Sequence, residues 1–152
     1  DSESEKELYQ NVGLVNEHDI NSGWIYILKS LSKREDINGI ENLFKIGFST
    51  IPVAERIKNA SKEPTYLMAP VEVVSTFKCY NVNAQKIEGL IHRFFSEVCL
   101  EIDVFDKNGK RVTPREWFVA PLKVIEEVVP LISNGSIVQY LYDVNNKRIR
   151  LK

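Results

Sequence analysis

Residues 23–56 read GWIYILKSLSKREDINGIENLFKIGFSTIPVAER, and this stretch decides the fold. Two apolar runs within it, residues 24–28 and 43–48, are rich in aromatic and branched side chains. The longer polar connection between them contains Asn38-Gly39. This composition is typical of two β-strands joined by a loop.

A helix is predicted after the second strand, over about residues 51–61. Ser49 or Thr50 can cap it, and Pro52 suits its first turn, where a missing N–H costs nothing. The helix is expected to stop before Pro64, because the residue preceding a proline avoids the helical region. The strands and the helix then bring three polar side chains into one neighbourhood: Tyr26, Lys45 and Arg56.

The rest of the chain predicts one α/β domain with a small mixed sheet and helices packed against it. The further elements are a strand over 71–79, a helix over 84–98, a hairpin around Asn108-Gly109, a helix over 122–132 and a hairpin around Asn145-Asn146. We expect residues 1–22 to be an N-terminal lead-in, with a short helix over 8–15. Residues 23–133 form the main domain, and residues 134–152 extend it with a C-terminal hairpin.

The composition is that of an ordinary globular domain. The chain has 152 residues, of which 43% are hydrophobic and 27% charged, and these values favour a single soluble domain. Twenty basic residues stand against 21 acidic ones, for a net charge of -1. The overall charge therefore argues neither for nor against nucleic acid, and any binding surface for it must be local.

The cysteines and the hydropathy indicate the compartment. Cys79 and Cys99 lie in apolar runs, which predicts two free thiols in a reducing cytoplasm. No apolar run has the length of a membrane span, and no secretory signal is present. We therefore expect a cytoplasmic protein with no membrane contact. A start at Asp1 rather than Met is compatible with a piece of a longer chain that carries further domains, and the oligomeric state stays open.

The ordered motifs resemble those of the GIY-YIG endonuclease superfamily. Trp24-Ile25-Tyr26 stands for the first motif, Lys45-Ile46-Gly47 for the second, and Arg56 for the arginine on the following helix. The set is most similar to a phage and bacterial branch that has Lys in the second motif, followed by E-x-x-x-H and E-W-F. The chain supplies these as Glu88 with His92 and as Glu116-Trp117-Phe118. The resemblance covers roughly residues 23–132.

The resemblance implies a small mixed or antiparallel sheet flanked by helices, and a divalent-metal-dependent DNA endonuclease. In such a site Glu88 would hold Mg²⁺ or Mn²⁺, with Glu116 as the alternative ligand. Arg56 would clamp the scissile phosphate through its planar fork. Tyr26 would orient or deprotonate the attacking water.

Lys45 and His92 have roles that the wider superfamily pattern does not give directly. Lys45 replaces the tyrosine of the wider superfamily, and its positive charge suits stabilisation of the pentacoordinate phosphate rather than base catalysis. His92 lies one helical turn after Glu88 and suits a base or a proton shuttle. On the DNA side, Lys58 and Lys62 follow Arg56 and are expected to contact backbone phosphates.

Two other functions compete with this interpretation. The first is a non-catalytic nucleic-acid-binding or interaction domain that keeps the fold and has weak turnover or none. The second is a small-molecule hydrolase, which lacks support because no Gly-x-Ser-x-Gly motif or phosphate loop is present. In the polar loop, Lys33 and Arg34 suit either a DNA contact or an ordinary solvated surface, and the solvated surface is favoured.

Overall fold

The computed structural model describes residues 5–7 and 21–152. The strands, in chain order, are β1 Glu5–Glu7, β2 Asn21–Ser30, β3 Leu43–Ser49, β4 Val71–Tyr80, β5 Val104–Phe105, β6 Arg111–Val112, β7 Trp117–Val119, β8 Tyr140–Asp143 and β9 Arg148–Leu151. The α-helices are α1 Glu35–Asn38, α2 Val53–Arg56, α3 Ala84–Phe94 and α4 Leu122–Ser133. Short 3-10 turns occur at Ala60–Lys62, Pro64–Tyr66, Ser96–Val98 and Ser136–Gln139.

Five strands form one mixed sheet in the order β1-β4-β2-β3-β7. β1 runs parallel to β4, and the other neighbours are antiparallel. The pairs β5–β6 and β8–β9 are separate two-stranded hairpins. The predicted α/β class, with a small mixed sheet, flanking helices, a C-terminal helix and a closing hairpin, is confirmed.

The main hydrophobic core lies between one face of this sheet and helices α3 and α4. Ile25 and Ile27 of β2 and Ile46 of β3 belong to it, and all three are buried. α3 begins where the Asn83 side chain accepts a hydrogen bond from the Lys86 N–H, as expected of an N-cap. The same core contains Ile137 and Tyr142, so residues 134–152 pack onto the main body.

The opposite face of the sheet carries a second core under α2. Side chains alternate between faces along a strand, so Tyr26 and Leu28 of β2 point away from the α3–α4 core. They pack against Val53, Ala60 and Tyr66, from α2 and the turns that follow it. This face holds the predicted tyrosine close to the predicted arginine.

The helix that carries Arg56 is shorter than the predicted 51–61. Its α-helical part is the single turn Val53–Arg56, and the residue at its N-cap is Pro52, with no side-chain cap. Ser49 is occupied locally, because its hydroxyl donates to the carbonyl of Ile51 (2.7 Å) and accepts from the N–H of Ile51 (3.2 Å). After this single turn the chain passes into the 3-10 turns Ala60–Lys62 and Pro64–Tyr66.

Two more differences concern strands. Within the predicted lead-in 1–22, Glu5–Glu7 pairs with β4 as an edge strand. Three charged residues show no apolar alternation, and charged side chains are common on edge strands, so sequence patterning misses this element. The expected short helix over 8–15 lies outside the described residues. In β4, an irregularity opposite Ile27 and Leu28 interrupts the side-chain alternation, so that Val73 packs in the second core and Phe77, four residues later, in the main core.

Both cysteines are free, with Cys79 buried and Cys99 half-buried. Burial raises the pKa of the Cys79 thiol to about 12, so it remains protonated. Within residues 5–7 and 21–152, no helix combines the length and the apolar character that crossing a membrane requires.

Candidate functional site

A cleft of about 130 Å³ opens beside β3, next to the short strand β7. β7 pairs with Leu43–Lys45 of β3, and the backbone N–H of Ile46 donates to the carbonyl of Glu116 (3.2 Å). α3 packs against β3. The cleft is lined by all five residues that the sequence predicted to converge: Tyr26, Lys45, Arg56, Glu88 and His92. Glu116 lines it as well.

Tyr26 occupies its position because Gly47 has no side chain. The two residues are partners across the β2–β3 ladder, and a Cβ on Gly47 would overlap the Cζ and hydroxyl oxygen of Tyr26. The backbone of Gly47 is an ordinary one for any residue, so the requirement is for space. Glycine here lets the tyrosine ring lie flat over the neighbouring strand.

The hydroxyl of Tyr26 interacts with the hydroxyl of Tyr66, which itself donates to the carbonyl of Arg56 (3.5 Å). Tyr26 is only 2% exposed. Burial raises its pKa far above the ordinary value, and the bond to Tyr66 raises that pKa further. Tyr26 is therefore a neutral phenol near neutral pH. Its hydroxyl proton is directed at Tyr66, and its oxygen can accept a hydrogen bond from another group. It is suited to orienting a water molecule and is a poor base.

Lys45 is a buried cation, 3% exposed. Its ammonium lies 5.7 Å from the centre of the Tyr26 ring and 5.5 Å from that of Tyr66. Burial lowers the pKa of Lys45 to about 8, the charge of Arg56 lowers it too, and the carboxylates of Glu116 and Glu88 act in the opposite direction. Lys45 is thus mostly charged at neutral pH and loses its proton in mildly alkaline solution.

Arg56 lies at the end of α2, with its guanidinium 5.6 Å from the centre of the Tyr66 ring. The Tyr66 ring therefore contacts both site cations, and cation–π contacts of this kind are attractive. Arg56 also forms a long ion pair with Glu63 (3.8 Å), in which both side chains are more than a third exposed. Such an exposed pair is weak, so a phosphate can compete for the guanidinium.

Helix α3 contributes Glu88 and His92, which are both exposed and line the cleft. They lie one turn apart and so share a helix face. Ile87 and Ile91, which neighbour them in sequence, are buried in the main core and hold the helix against the sheet. The imidazole of His92 meets the ring of Phe118 edge to face, with 6.2 Å between ring centres.

Glu116 immediately precedes β7, and both its backbone and its side chain are held by hydrogen bonds. Its carbonyl accepts from Ile46, and its carboxylate accepts from the hydroxyl of Thr65 (3.4 Å). Among the described residues, no ion pair joins Glu116 to Arg111 or Arg115. Geometry alone therefore leaves Glu88 and Glu116 as two candidate metal ligands.

The two carboxylates of the cleft could hold a divalent cation only if the ion kept most of its water ligands. The residues that the structure describes include no group of three or more His, Cys, Asp or Glu side chains that could hold a metal ion. Mg²⁺, however, needs only one or two carboxylates, because it keeps several waters and takes oxygens from substrate phosphates. Glu88 and Glu116 suit such a hydrated ion.

Some site residues were missed, and two predicted ones lie elsewhere. Tyr66, Thr65 and Arg115 belong to the site or its lining but show no periodic signal, since Tyr66 and Thr65 lie in an irregular turn. The turn Pro64-Thr65-Tyr66 is tied to the sheet where the Trp117 indole N–H donates to the carbonyl of Thr65 (2.9 Å). Lys58 and Lys62 are exposed and stand outside the cleft lining.

The fold and the site together define a small α/β domain with a cleft that combines cations, carboxylates and tyrosines. Residues 23–133 match the T5orf172 domain, and the chain belongs to that family. T5orf172 domains are often nuclease-like or DNA-interacting.

One curated relative extends this match. The uncharacterized protein YeeC of Bacillus subtilis (strain 168) is 44% identical over 133 residues. The aligned part covers 85% of this chain and 33% of YeeC, so the chain spans about a third of that relative's length. No solved structure matches this chain with comparable significance.

The family corrects the resemblance drawn from the motifs. T5orf172 is a different family from GIY-YIG, so the assignment to the GIY-YIG superfamily is wrong. Its motifs were short, and two positions departed from the pattern: Trp24 in place of the first glycine and Lys45 in place of the second tyrosine. The roles of the cleft residues must therefore be argued from their geometry.

Proposed function

We propose that this chain is a divalent-metal-dependent DNA endonuclease domain that hydrolyses phosphodiester bonds. The observation that carries the proposal is the convergence of two cations, Lys45 and Arg56, with two carboxylates, Glu88 and Glu116, on one cleft. Phosphodiester hydrolysis requires positive charge where the phosphate gains negative charge, together with an oriented water molecule. The cleft supplies groups for both requirements.

The cations bind and stabilise the phosphate. Arg56 clamps two phosphate oxygens through its planar fork. Lys45 is a point charge that is buried, and its attraction to the developing charge is therefore stronger than in bulk water. Tyr66 positions both cations, because its ring contacts each of them.

Tyr26 orients the attacking water, and His92 accepts its proton. The Tyr26 oxygen accepts a hydrogen bond from the water, since its own proton is directed at Tyr66. His92 takes the proton that the water loses as its oxygen bonds to phosphorus and the bond to the leaving oxygen breaks. Its exposed ring can pass that proton to solvent.

Glu88 would hold the metal ion, with Glu116 as the alternative ligand. When bound, Mg²⁺ or Mn²⁺ supplies Lewis-acid polarisation of a phosphoryl oxygen and lowers the pKa of a coordinated water. Glu88 is the preferred ligand because it stands on a helix that buried neighbours hold against the sheet. Within residues 5–7 and 21–152 no hydrogen bond or ion pair engages its carboxylate, whereas the carboxylate of Glu116 accepts from the Thr65 hydroxyl.

A second candidate is a catalytically weak or inactive nucleic-acid-binding domain. One observation favours it: Arg56 already pairs with Glu63 and lies against Tyr66, which also suits a purely structural arginine. Binding and cutting separate the two functions. An endonuclease nicks plasmid DNA when Mg²⁺ or Mn²⁺ is added, whereas a binding domain retains DNA affinity and leaves the plasmid intact under every metal condition.

A further inference from the structure

A second concavity lies beside the cleft, between the polar loop after β2 and the β5–β6 hairpin. This loop–hairpin groove has a volume of about 500 Å³, and Lys33, Leu67 and Phe105 are among its lining residues. Thr65 lines the cleft and Leu67 lines the groove. Two residues of chain span at most about 7 Å, so the two concavities are immediate neighbours.

The hairpin holds an aromatic ring out of the core. Phe105 is 58% exposed and is the cross-strand partner of Arg111, so both side chains project from the same face. The preceding residue, Val104, faces inward and is buried. At the tip, the carboxylate of Asp106 accepts from the N–H groups of Asn108 (2.8 Å) and Lys110 (2.9 Å), which closes the turn.

The opposite wall of the groove is fixed to the hairpin by Arg34. Its guanidinium binds both carboxylate oxygens of Asp36 (3.0 and 2.7 Å) and donates to the carbonyl of Asp103 (3.1 Å). Arg34 therefore ties the loop to the hairpin and is unsuited to a DNA contact. Lys33 is exposed on the loop side of the groove, and the exposed Arg111 lies next to Phe105 on the hairpin, outside the groove lining.

The floor of the groove shows an unusual backbone. Leu67 and Met68 are consecutive non-glycine residues with positive φ, 61° and 53°. Residues of this type rarely adopt that conformation, and strained residues cluster where ligands are held. The strained residues, the outward ring and Lys33 all line this groove, and Arg111 lies next to the ring.

We propose that the loop–hairpin groove binds the DNA strand next to the scissile phosphate, with one unstacked base on Phe105 and backbone phosphates on Lys33 and Arg111. The inference rests on the proposed function, because it treats the neighbouring cleft as the place where the same strand is cut. Aromatic rings flanked by cations are the usual platform for single-stranded nucleic acid, since every base has a face that can stack. A strand that lies in the groove needs to cross only Thr65 to Leu67 to reach Arg56.

The test is the affinity of the full chain for a short single-stranded oligodeoxynucleotide. Phe105→Ala should weaken binding about 5- to 150-fold, the range expected for loss of one stacked base, and Phe105→Trp should retain it. Leu151→Ala is the matched control, because Leu151 is an exposed apolar residue (63%) on the other hairpin. Lys33→Ala and Arg111→Ala should each lower the salt dependence by about one, whereas Phe105→Ala leaves it unchanged.

An unchanged affinity in Phe105→Ala, or an equal loss in Phe105→Trp, overturns the proposal, as does a wild-type chain with no affinity for DNA. If Phe105→Ala loses DNA binding and the wild-type chain cuts nothing with Mg²⁺ or Mn²⁺, the groove proposal stands and the endonuclease proposal is wrong. If the wild-type chain cuts plasmid and Phe105→Ala binds DNA normally, only the groove proposal is wrong. Thermal unfolding of each variant checks that the fold is intact.

Discussion

The ring of Tyr26 lies over Gly47, its partner across the β2–β3 ladder, and leaves no room for a Cβ on that glycine. The absence of a side chain at Gly47 on β3 therefore fixes the position of the Tyr26 ring on β2. The Tyr26 hydroxyl is then directed at Tyr66, and the Tyr66 ring meets Lys45 and Arg56. Gly47 thus supports the arrangement of Tyr26 and Tyr66 beside the two cations of the cleft, Lys45 and Arg56.

Gly47→Ala should destabilise the protein and inactivate the site. The added methyl group displaces the Tyr26 ring, and overpacking of this kind costs about 1–3 kcal/mol of unfolding free energy. Urea denaturation measures that cost. Gly89→Ala is the matched control, because an added Cβ there meets nothing within 4 Å and alanine favours a helix by about 0.5–1 kcal/mol. Equal stabilities for the two variants would show that Tyr26 does not need this space.

Lys45 should make stability depend on alkaline pH. Its folded pKa of about 8 is below the ordinary 10.5, so between these values the unfolded chain binds more protons. The free energy of unfolding contributed by this group therefore rises with pH from about 8 to 10.5. Chemical denaturation at several pH values measures the rise, and Lys45→Met should remove it. A rise that persists in Lys45→Met belongs to another group.

The same titration should be visible in catalysis. If the Lys45 ammonium stabilises the phosphate, kcat/KM for DNA cleavage falls as pH increases through about 8, because that parameter reports the free enzyme. The measurement is a pH series of single-turnover cleavage rates at subsaturating DNA. A rate that instead climbs through about 8 would assign Lys45 the role of base.

The two carboxylates should differ in their effect on metal binding. Glu88→Gln is expected to lower Mn²⁺ affinity at least about tenfold and to abolish cleavage, because it removes the ligand. Glu116→Gln should keep most of the Mn²⁺ affinity and reduce cleavage less. Titration calorimetry of both variants gives the comparison. Intact affinity in Glu88→Gln together with lost affinity in Glu116→Gln would reverse the assignment.

Lys58 and Lys62 lie outside the cleft on the exposed surface that follows α2, where a DNA backbone leaving Arg56 would pass. Each lysine that contacts a phosphate releases counterions, so Lys58→Ala and Lys62→Ala should each lower the salt dependence of DNA binding by about one. The measurement is the dissociation constant over a range of salt concentrations. A slope that equals the wild-type value in both variants places the DNA elsewhere.

Elements with strong periodicity were predictable from the sequence. The existence of β4 follows from its β-branched composition and the apolar stripe of α3 from side-chain spacing, and Asn83 has the residue type of an N-cap. β1 was missed because its three consecutive charged residues show no apolar alternation, although they pair with β4. α2 was overestimated because the sequence does not show that the chain leaves the α-helical conformation after Arg56 and continues in 3-10 turns.

The site was partly predictable for a different reason. Strand pairing places Tyr26 opposite Gly47, and its neighbour Lys45 lies two residues further along the same face, so short motifs were enough to indicate the cleft even though the family drawn from them was wrong. Tyr66 could not be found in this way. It lies in an irregular turn, and its contacts with Lys45 and Arg56 exist only in the folded chain.

The central claim is that the cleft cuts DNA, and nicking of supercoiled plasmid tests it most directly. Wild-type protein should convert supercoiled circles to nicked circles with Mg²⁺ or Mn²⁺ and stop when EDTA is added. Arg56→Ala should be slower by about 10²- to 10³-fold, the usual cost of removing one group that stabilises transition-state charge. Arg148→Ala, an exposed arginine of the β8–β9 hairpin, should cut at the wild-type rate. Plasmid that stays supercoiled while the protein binds it in both metals, or equal nicking by wild type and Arg56→Ala, would contradict the account.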